Sequence, residues 1–339
     1  MRDYRYLRQM TDETGILQFS RLDNPDKNSG YTLDDNARAL MVAVLNDFKY
    51  DEILQYTLFL HSAQQQDGSW SNFYQGNIYS SRFDSEDSIG RALMACAAGT
   101  FSKWDNIRQL CEEMFIKNID KAMRFNSPRA IAYSLLGLCK ISSSENEHKN
   151  NYNLIIDRLS NYLLGLYETY HGPRWYWFEN YLTYCNGILP QALLAVYNLS
   201  GSKKALKAGR DSLDFLCGIL FRYGHLNIIG NQGWYQRGQR VAMFDQQPVD
   251  AASIVIALNE GYTAIGRREY LEMAQKGYLW YLGDNIHAMS LYNPQTGGCF
   301  DALTPAGVNG NQGAEAVLSL LLTELVISQQ QQLNREISI

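Results

Sequence analysis

The chain has 339 residues, 46% of them hydrophobic and 19% charged, with a formal net charge of −5. That balance describes a globular protein with a sizeable core, and without a Lys/Arg block it argues against a nucleic-acid partner. No apolar run approaches the roughly 18 residues of a membrane span, and the opening Met1-Arg2-Asp3-Tyr4-Arg5-Tyr6 carries no apolar leader, so no membrane contact and a cytoplasmic setting are expected.

Residues 3–10 read as a short helix, and a loop rich in Asn, Asp, Pro and Gly follows at 22–31. Thr32-Leu33-Asp34-Asp35-Asn36-Ala37-Arg38-Ala39-Leu40 then runs a polar cap into a small-residue, apolar helix. Asp and Asn at a helix start accept its orphan amide N–H groups, and their charge suits the positive end of the dipole. Ser85-Glu86-Asp87-Ser88-Ile89-Gly90-Arg91-Ala92-Leu93 repeats the pattern. Looser versions begin at Ser127-Pro128-Arg129, Cys185-Asn186-Gly187, Pro248-Val249-Asp250 and Asn311-Gln312-Gly313. The spacing predicts helices at 34–46 with 51–66, 86–99 with 104–121, 128–140 with 151–168, 186–199 with 203–220 and 249–264 with 267–284, then a last one at 311–329.

Within each pair the first helix is apolar nearly all round, as in Ala130-Ile131-Ala132-Tyr133-Ser134-Leu135-Leu136-Gly137-Leu138, and the second is charged on one face. The first kind is buried and the second faces water. Six inner helices ringed by outer ones is the economical arrangement: an all-α fold, one domain over 1–330, with a frayed tail at 331–339. Most long connections (67–85, 169–185, 221–248, 285–310) precede an inner helix, and in such a ring they share one end, where binding and chemistry concentrate. A brief strand pairing of 225–229 with 241–244 is the only β feature expected. The six cysteines (Cys96, Cys111, Cys139, Cys185, Cys217, Cys299) stand singly, so buried free thiols are expected.

The whole pattern resembles the (α/α)6 toroid of the six-hairpin glycosidase superfamily. More narrowly, Tyr31 to Leu40, Asp84 to Arg91, Phe244-Asp245-Gln246-Gln247-Pro248-Val249-Asp250-Ala251 and Asn311 to Glu315 are similar to motifs of bacterial glycosidase-like domains. Such domains occur alone or fused behind glycosyltransferase modules. The likeness runs from Thr11-Asp12-Glu13-Thr14-Gly15 to Glu315, nearly the whole chain. It implies glycoside hydrolysis or lyase chemistry, with a glycosyltransferase or another sugar-pathway enzyme as a partner.

Glycoside hydrolysis needs one protonated and one ionised carboxyl, about 6.5–9.5 Å apart for inversion and about 5 Å for retention. Asp34, Asp35, Glu86, Asp87 and Asp250 open inner helices, Glu179, Asp245 and Asp301 lie in the loops just upstream, and Glu315 lies one turn inside the last helix. The catalytic pair is expected among Asp35, Asp87, Glu179 and Asp245, acting as an inverting hydrolase on an oligosaccharide. Glu179 follows the aromatic run Arg174-Trp175-Tyr176-Trp177-Phe178, which suits a protonated acid, and Asp245 on the longest loop suits a base. The competing reading is structural, because Asp34 with Arg38 and Asp87 with Arg91 have the spacing of intrahelical salt bridges.

Sugar contacts are expected from Trp70, Tyr74, Trp175, Trp177, Trp234 and Tyr235, whereas Trp280 on an outer helix reads as core. Beside those aromatics sit Asp34, Glu86, Arg91, Asn186, Arg237, Gln246, Gln247, Asp250, Asn311 and Gln312. Aromatic faces interleaved with amides suit hydroxyl-rich ligands. None of the five histidines (His61, His148, His171, His225, His287) falls in an inner helix, which argues against an epimerase built on a histidine pair. No zinc spacing, P-loop or GxGxxG is present, so no metal or nucleotide cofactor is expected. The alternative to hydrolysis is a non-catalytic carbohydrate-binding module.

Overall fold

In the computed structural model the chain is described over residues 2–143 and 149–337; His148 lies outside the described residues. Among those residues twelve α-helices form: α1 Arg5–Gln9, α2 Leu33–Leu45, α3 Tyr50–Ala63, α4 Glu86–Gly99, α5 Asp105–Ile119, α6 Pro128–Ser142, α7 Lys149–Tyr170, α8 Ile188–Ser200, α9 Lys203–Leu220, α10 Pro248–Ile265, α11 Arg268–Tyr281 and α12 Ala314–Ile337. None is long and apolar enough to cross a membrane. The chain divides into two compact units, Leu7–Leu163 and Met1–Tyr6 with Leu164–Ile339. The division falls inside the continuous helix α7 rather than in a linker, so composition gives no sign of it.

In the Leu7–Leu163 unit the alternation of buried and amphipathic helices is the expected one. Helices α2, α4 and α6 are buried over most of their length and pack side by side, with α3 and α5 against them. Three of their starts are capped by hydroxyls: Thr32, Ser85 and Ser127 each accept the amide three residues on. Close approach of α4 to α6 rests on Gly90, where a Cβ would lie 2.7 Å from the Ala130 carbonyl oxygen. A three-stranded sheet, Tyr31–Thr32 with Phe73–Gln75 and Ile78–Ser80, roofs the start of α2.

In the other unit α8, α10 and α12 are the buried helices, α10 packing on both α8 and α12, while α9 and α11 present their charged faces outward. Helix α8 starts at Ile188 rather than 186, because the Asn186 amide group is engaged with the Thr183 main chain instead of capping. Helix α12 starts at Ala314 rather than 311 and continues to Ile337, beyond the expected 329, so the stretch expected to fray is helical as far as residue 337. The expected ladder of 225–229 with 241–244 does not form; Tyr181–Leu182 pairs with Tyr235–Gln236 instead, and Gly230 lies against Phe244. All six cysteines are free and buried, and Trp280 is core, both as expected.

Gly90→Val should lower stability to urea by about 1–3 kcal/mol through overpacking of α4 on α6, whereas Gly218→Val, at a position with nothing near its Cβ, should cost no more than the exchange of helix propensities; an equal loss at both positions would contradict the packing account.

Candidate functional site

The Leu7–Leu163 unit gathers the starts of its three buried helices and neutralises nearly every carboxylate there. Asp34 receives Arg91 on both oxygens at 2.8 Å and Arg38 on one at 3.0 Å, while Arg38 also reaches Asp35 at 3.1 Å. Arg91 in turn lies 4.7 Å over the Tyr133 ring, so one guanidinium links α2, α4 and α6. Burial alone would raise the Asp34 carboxyl, but the two arginines outweigh it and hold the group below its ordinary value. Asp35 accepts the Thr32 hydroxyl at 2.7 Å. Glu86 accepts the backbone N–H groups of Asn126 and Ser127 at 2.7 and 2.6 Å, and Asp87 accepts the Ser127 hydroxyl. The carboxylates predicted here as catalytic or sugar-binding are thereby tied to the scaffold: Asp34 and Asp35 to arginine, Glu86 to main chain, Asp87 to a capping serine.

Trp70 is corrected from sugar platform to pin, being 3% exposed with its indole N–H given to the Leu60 carbonyl. Tyr74 is half-buried in a cluster with Tyr31, Phe59 and Tyr79.

In the second unit the aromatic run before Glu179 is core. Trp175 and Trp177 are 3% and 0% exposed and pack around Phe215, and the Trp175 N–H goes to the Glu179 carbonyl at 2.8 Å. Both are corrected from platforms to pins, with Glu179 itself buried behind them. Arg237 clamps loops: it donates to the Tyr170 carbonyl at 3.0 Å, its amide to that of Asn180, and its guanidinium covers Trp175. Gln246 is fully buried, and its amide group bonds Ile228, Asn227, Met243 and the Trp280 indole, leaving no group for a ligand. Gln312, predicted to touch sugar, is likewise buried and accepts the Thr296 hydroxyl at 2.7 Å. Asp250 accepts the Cys185 amide, and Asn186 holds the Thr183 turn, so these two join the starts of α10 and α8. Asn311 accepts the Asp301 amide through its carbonyl.

What stays accessible is a smaller set. Trp234 and Tyr235 are half-buried, Trp234 beside Tyr184, which is 37% exposed and which sequence reasoning passed over among many tyrosines. Gln247 is half-buried at the start of α10. Asp245 is half-buried and takes one amide hydrogen bond, from Gln232 at 3.1 Å. An antiparallel bridge between Gln246 and Leu303 binds its loop to the one that carries Asp301.

Asp301 is the unusual group. Its carboxyl accepts the Gly313 amide at 2.6 Å just before α12, yet burial pushes it up to about 6, and Glu315 one turn into the helix pushes the same way. A carboxylate count along the loop could not show this, since the shift comes from burial in the folded chain and from Glu315, fourteen residues further on. Among the described residues no group of His, Cys, Asp and Glu could hold a metal ion.

Comparison of the sequence with protein-family models and with curated proteins finds no match. Comparison of the structure finds likenesses over the whole length. A sugar epimerase from a ruminal bacterium aligns with a TM-score of 0.71 at 12% identity, over 96% of each chain. The cellobiose 2-epimerase of Spirochaeta thermophila gives 0.71 at 14%, over 97% of this chain and 93% of its own. A GH76 α-mannanase of Bacteroides thetaiotaomicron gives 0.60 at 11%, over 90% and 88%. The chain has the six-hairpin (α/α)6 toroid fold. At these identities the likeness fixes the (α/α)6 architecture alone.

Arg91→Met should cost about 2 kcal/mol at pH 7, less than the loss on breaking a fully buried pair because Asp34 keeps Arg38 and some solvent. Since the folded Asp34 titrates below its unfolded value near 3.9, its contribution is complete above that pH and lost as pH falls through the lower folded value, so variant and wild type should converge on acidification. Asp301 has the opposite sign: with a folded value of about 6, it costs stability progressively as pH rises from 4 through 6. Asp301→Asn should therefore stabilise the protein by about 1–3 kcal/mol at pH 8 and hardly at all at pH 4, measured by urea unfolding; a loss at pH 8 would contradict the burial argument.

Proposed function

We propose that the protein is a glycoside hydrolase that works on an oligosaccharide with carboxyl groups as acid and base, Asp301 as general acid and Asp245 as base. The observation that carries the reading is the Asp301 carboxyl, half-buried, opposed by Glu315 and raised to about 6, so that it keeps a proton where ordinary carboxyls have lost theirs. The bridge of Gln246 to Leu303 supports the pairing. Asp301 protonates the leaving oxygen while Asp245, steadied by Gln232, takes a proton from the attacking water. Trp234, Tyr235, Tyr184 and Gln247 offer the nearby aromatic and amide groups for sugar rings. The (α/α)6 neighbours include a mannanase as well as epimerases, which supports a carbohydrate substrate.

A second reading, a carbohydrate-binding module acting beside a glycosyltransferase, is favoured by the Leu7–Leu163 unit, where Asp34, Asp35, Glu86 and Asp87 are all engaged by the protein itself. An epimerase reading finds less support: His61 ends α3, His171 follows α7 and stacks on Tyr167, His225 lies in a loop, and His287 stacks on Phe244, none of them on a buried helix.

Incubation with gluco-, manno- and galacto-oligosaccharides in D2O, with products read by chromatography and NMR, separates the three. The hydrolase reading expects shortened sugars of inverted anomeric configuration, a rate that falls above about pH 6, and losses of about a thousandfold on Asp301→Asn or Asp245→Asn. Epimers carrying solvent deuterium, or unchanged turnover in both variants, would overturn it.

A further inference from the structure

A cavity lies apart from the groups just described. It measures about 430 Å³ and is walled by the N-terminal segment, α11 and α12, through Arg2, Tyr4, Tyr278, Glu324 and Ser328, with Ile327 at its apolar side. Glu324 stands nine positions beyond Glu315, which on an α-helix is roughly 14 Å along the axis, so this cavity and the start of α12 are separate places.

The wall is polar but balanced. Arg2 donates to the Ser328 hydroxyl, and the Tyr278 hydroxyl donates to Glu324 at 3.3 Å. Burial raises the Glu324 carboxyl, and neither the Tyr278 hydrogen bond nor the Arg2 charge offsets it. An anionic ligand would meet Glu324 and a cationic one Arg2, so neither sign is favoured. Hydroxyl groups, which donate and accept at once, satisfy a carboxylate, a guanidinium and a serine on one surface. Tyr4, Tyr278 and Ile327 add apolar surface to the lining, which suits the C–H face of a pyranose. The volume is near the lower end of ligand cavities, which run about 300–1,000 Å³.

We infer that this cavity is a second binding site, for a neutral hydroxyl-rich ligand of mono- or disaccharide size. The site stands on its own lining and does not depend on the reaction proposed above.

The test is a titration of the full chain, with the Ile327 side-chain methyl followed by NMR and assigned by Ile327→Leu. The probes are D-glucose, cellobiose, glucose 6-phosphate and glucosamine. The inference expects the methyl to shift saturably with glucose or cellobiose in the millimolar range, and the affinity to fall tenfold or more in Glu324→Gln and in the cavity-filling Ser328→Trp. Should Glu324→Gln not fold, Ser328→Trp carries the comparison, with Asp301→Asn binding as wild type does. A methyl that ignores both neutral sugars, answers only a charged probe, or responds equally in the folded variants would overturn the assignment. Absence of hydrolysis would leave it untouched.

Discussion

A helix that is apolar on every side must still begin somewhere, and its first amide groups arrive without partners. Burying them unsatisfied costs several kcal/mol per helix, so each buried helix of this protein needs acceptors at its start. In one unit the chain meets that need with hydroxyl caps, Thr32, Ser85 and Ser127; in the other α8 and α10 begin without a side-chain cap, and the Asp301 carboxyl accepts the Gly313 amide just ahead of α12. Polar chemistry is therefore concentrated where the apolar architecture is weakest.

The two units resolve the resulting charge differently. Around α2, α4 and α6 the arginines arrive on the same helices, and Asp34, Arg38, Arg91 and Tyr133 close a network that leaves little reactivity. Just ahead of α12, among the described residues, no guanidinium pairs with Asp301; the charge that acts on it is another carboxylate, Glu315. The first arrangement makes a rigid scaffold, and the second leaves a carboxyl that keeps its proton up to about pH 6.

Much of the fold was legible because the signals were periodic and repeated. Capped small-residue stretches located all six buried helices, and the charged faces of α9 and α11 identified the outer kind. Errors arose where a side chain was spent on something local, as when Asn186 held its own turn and displaced the start of α8 by two residues. The site was less legible. Composition located Trp70, Trp175 and Trp177 in long loops, but whether a loop tryptophan faces water or pins the loop is settled by packing against distant residues such as Phe215. Likewise nothing local separates Asp301 from Asp245 or Glu179, because the proton affinity of a carboxyl depends on what covers it.

The central claim is thus that one carboxyl at the start of α12 is protonated well above the ordinary range. Carbon-13 labelling of the aspartate side chains, with Asp301 assigned by comparison with Asp301→Asn, gives its titration directly. A midpoint of about 6 is the predicted result, whereas an Asp301 signal that titrates near the unperturbed value of about 3.9 would contradict the account.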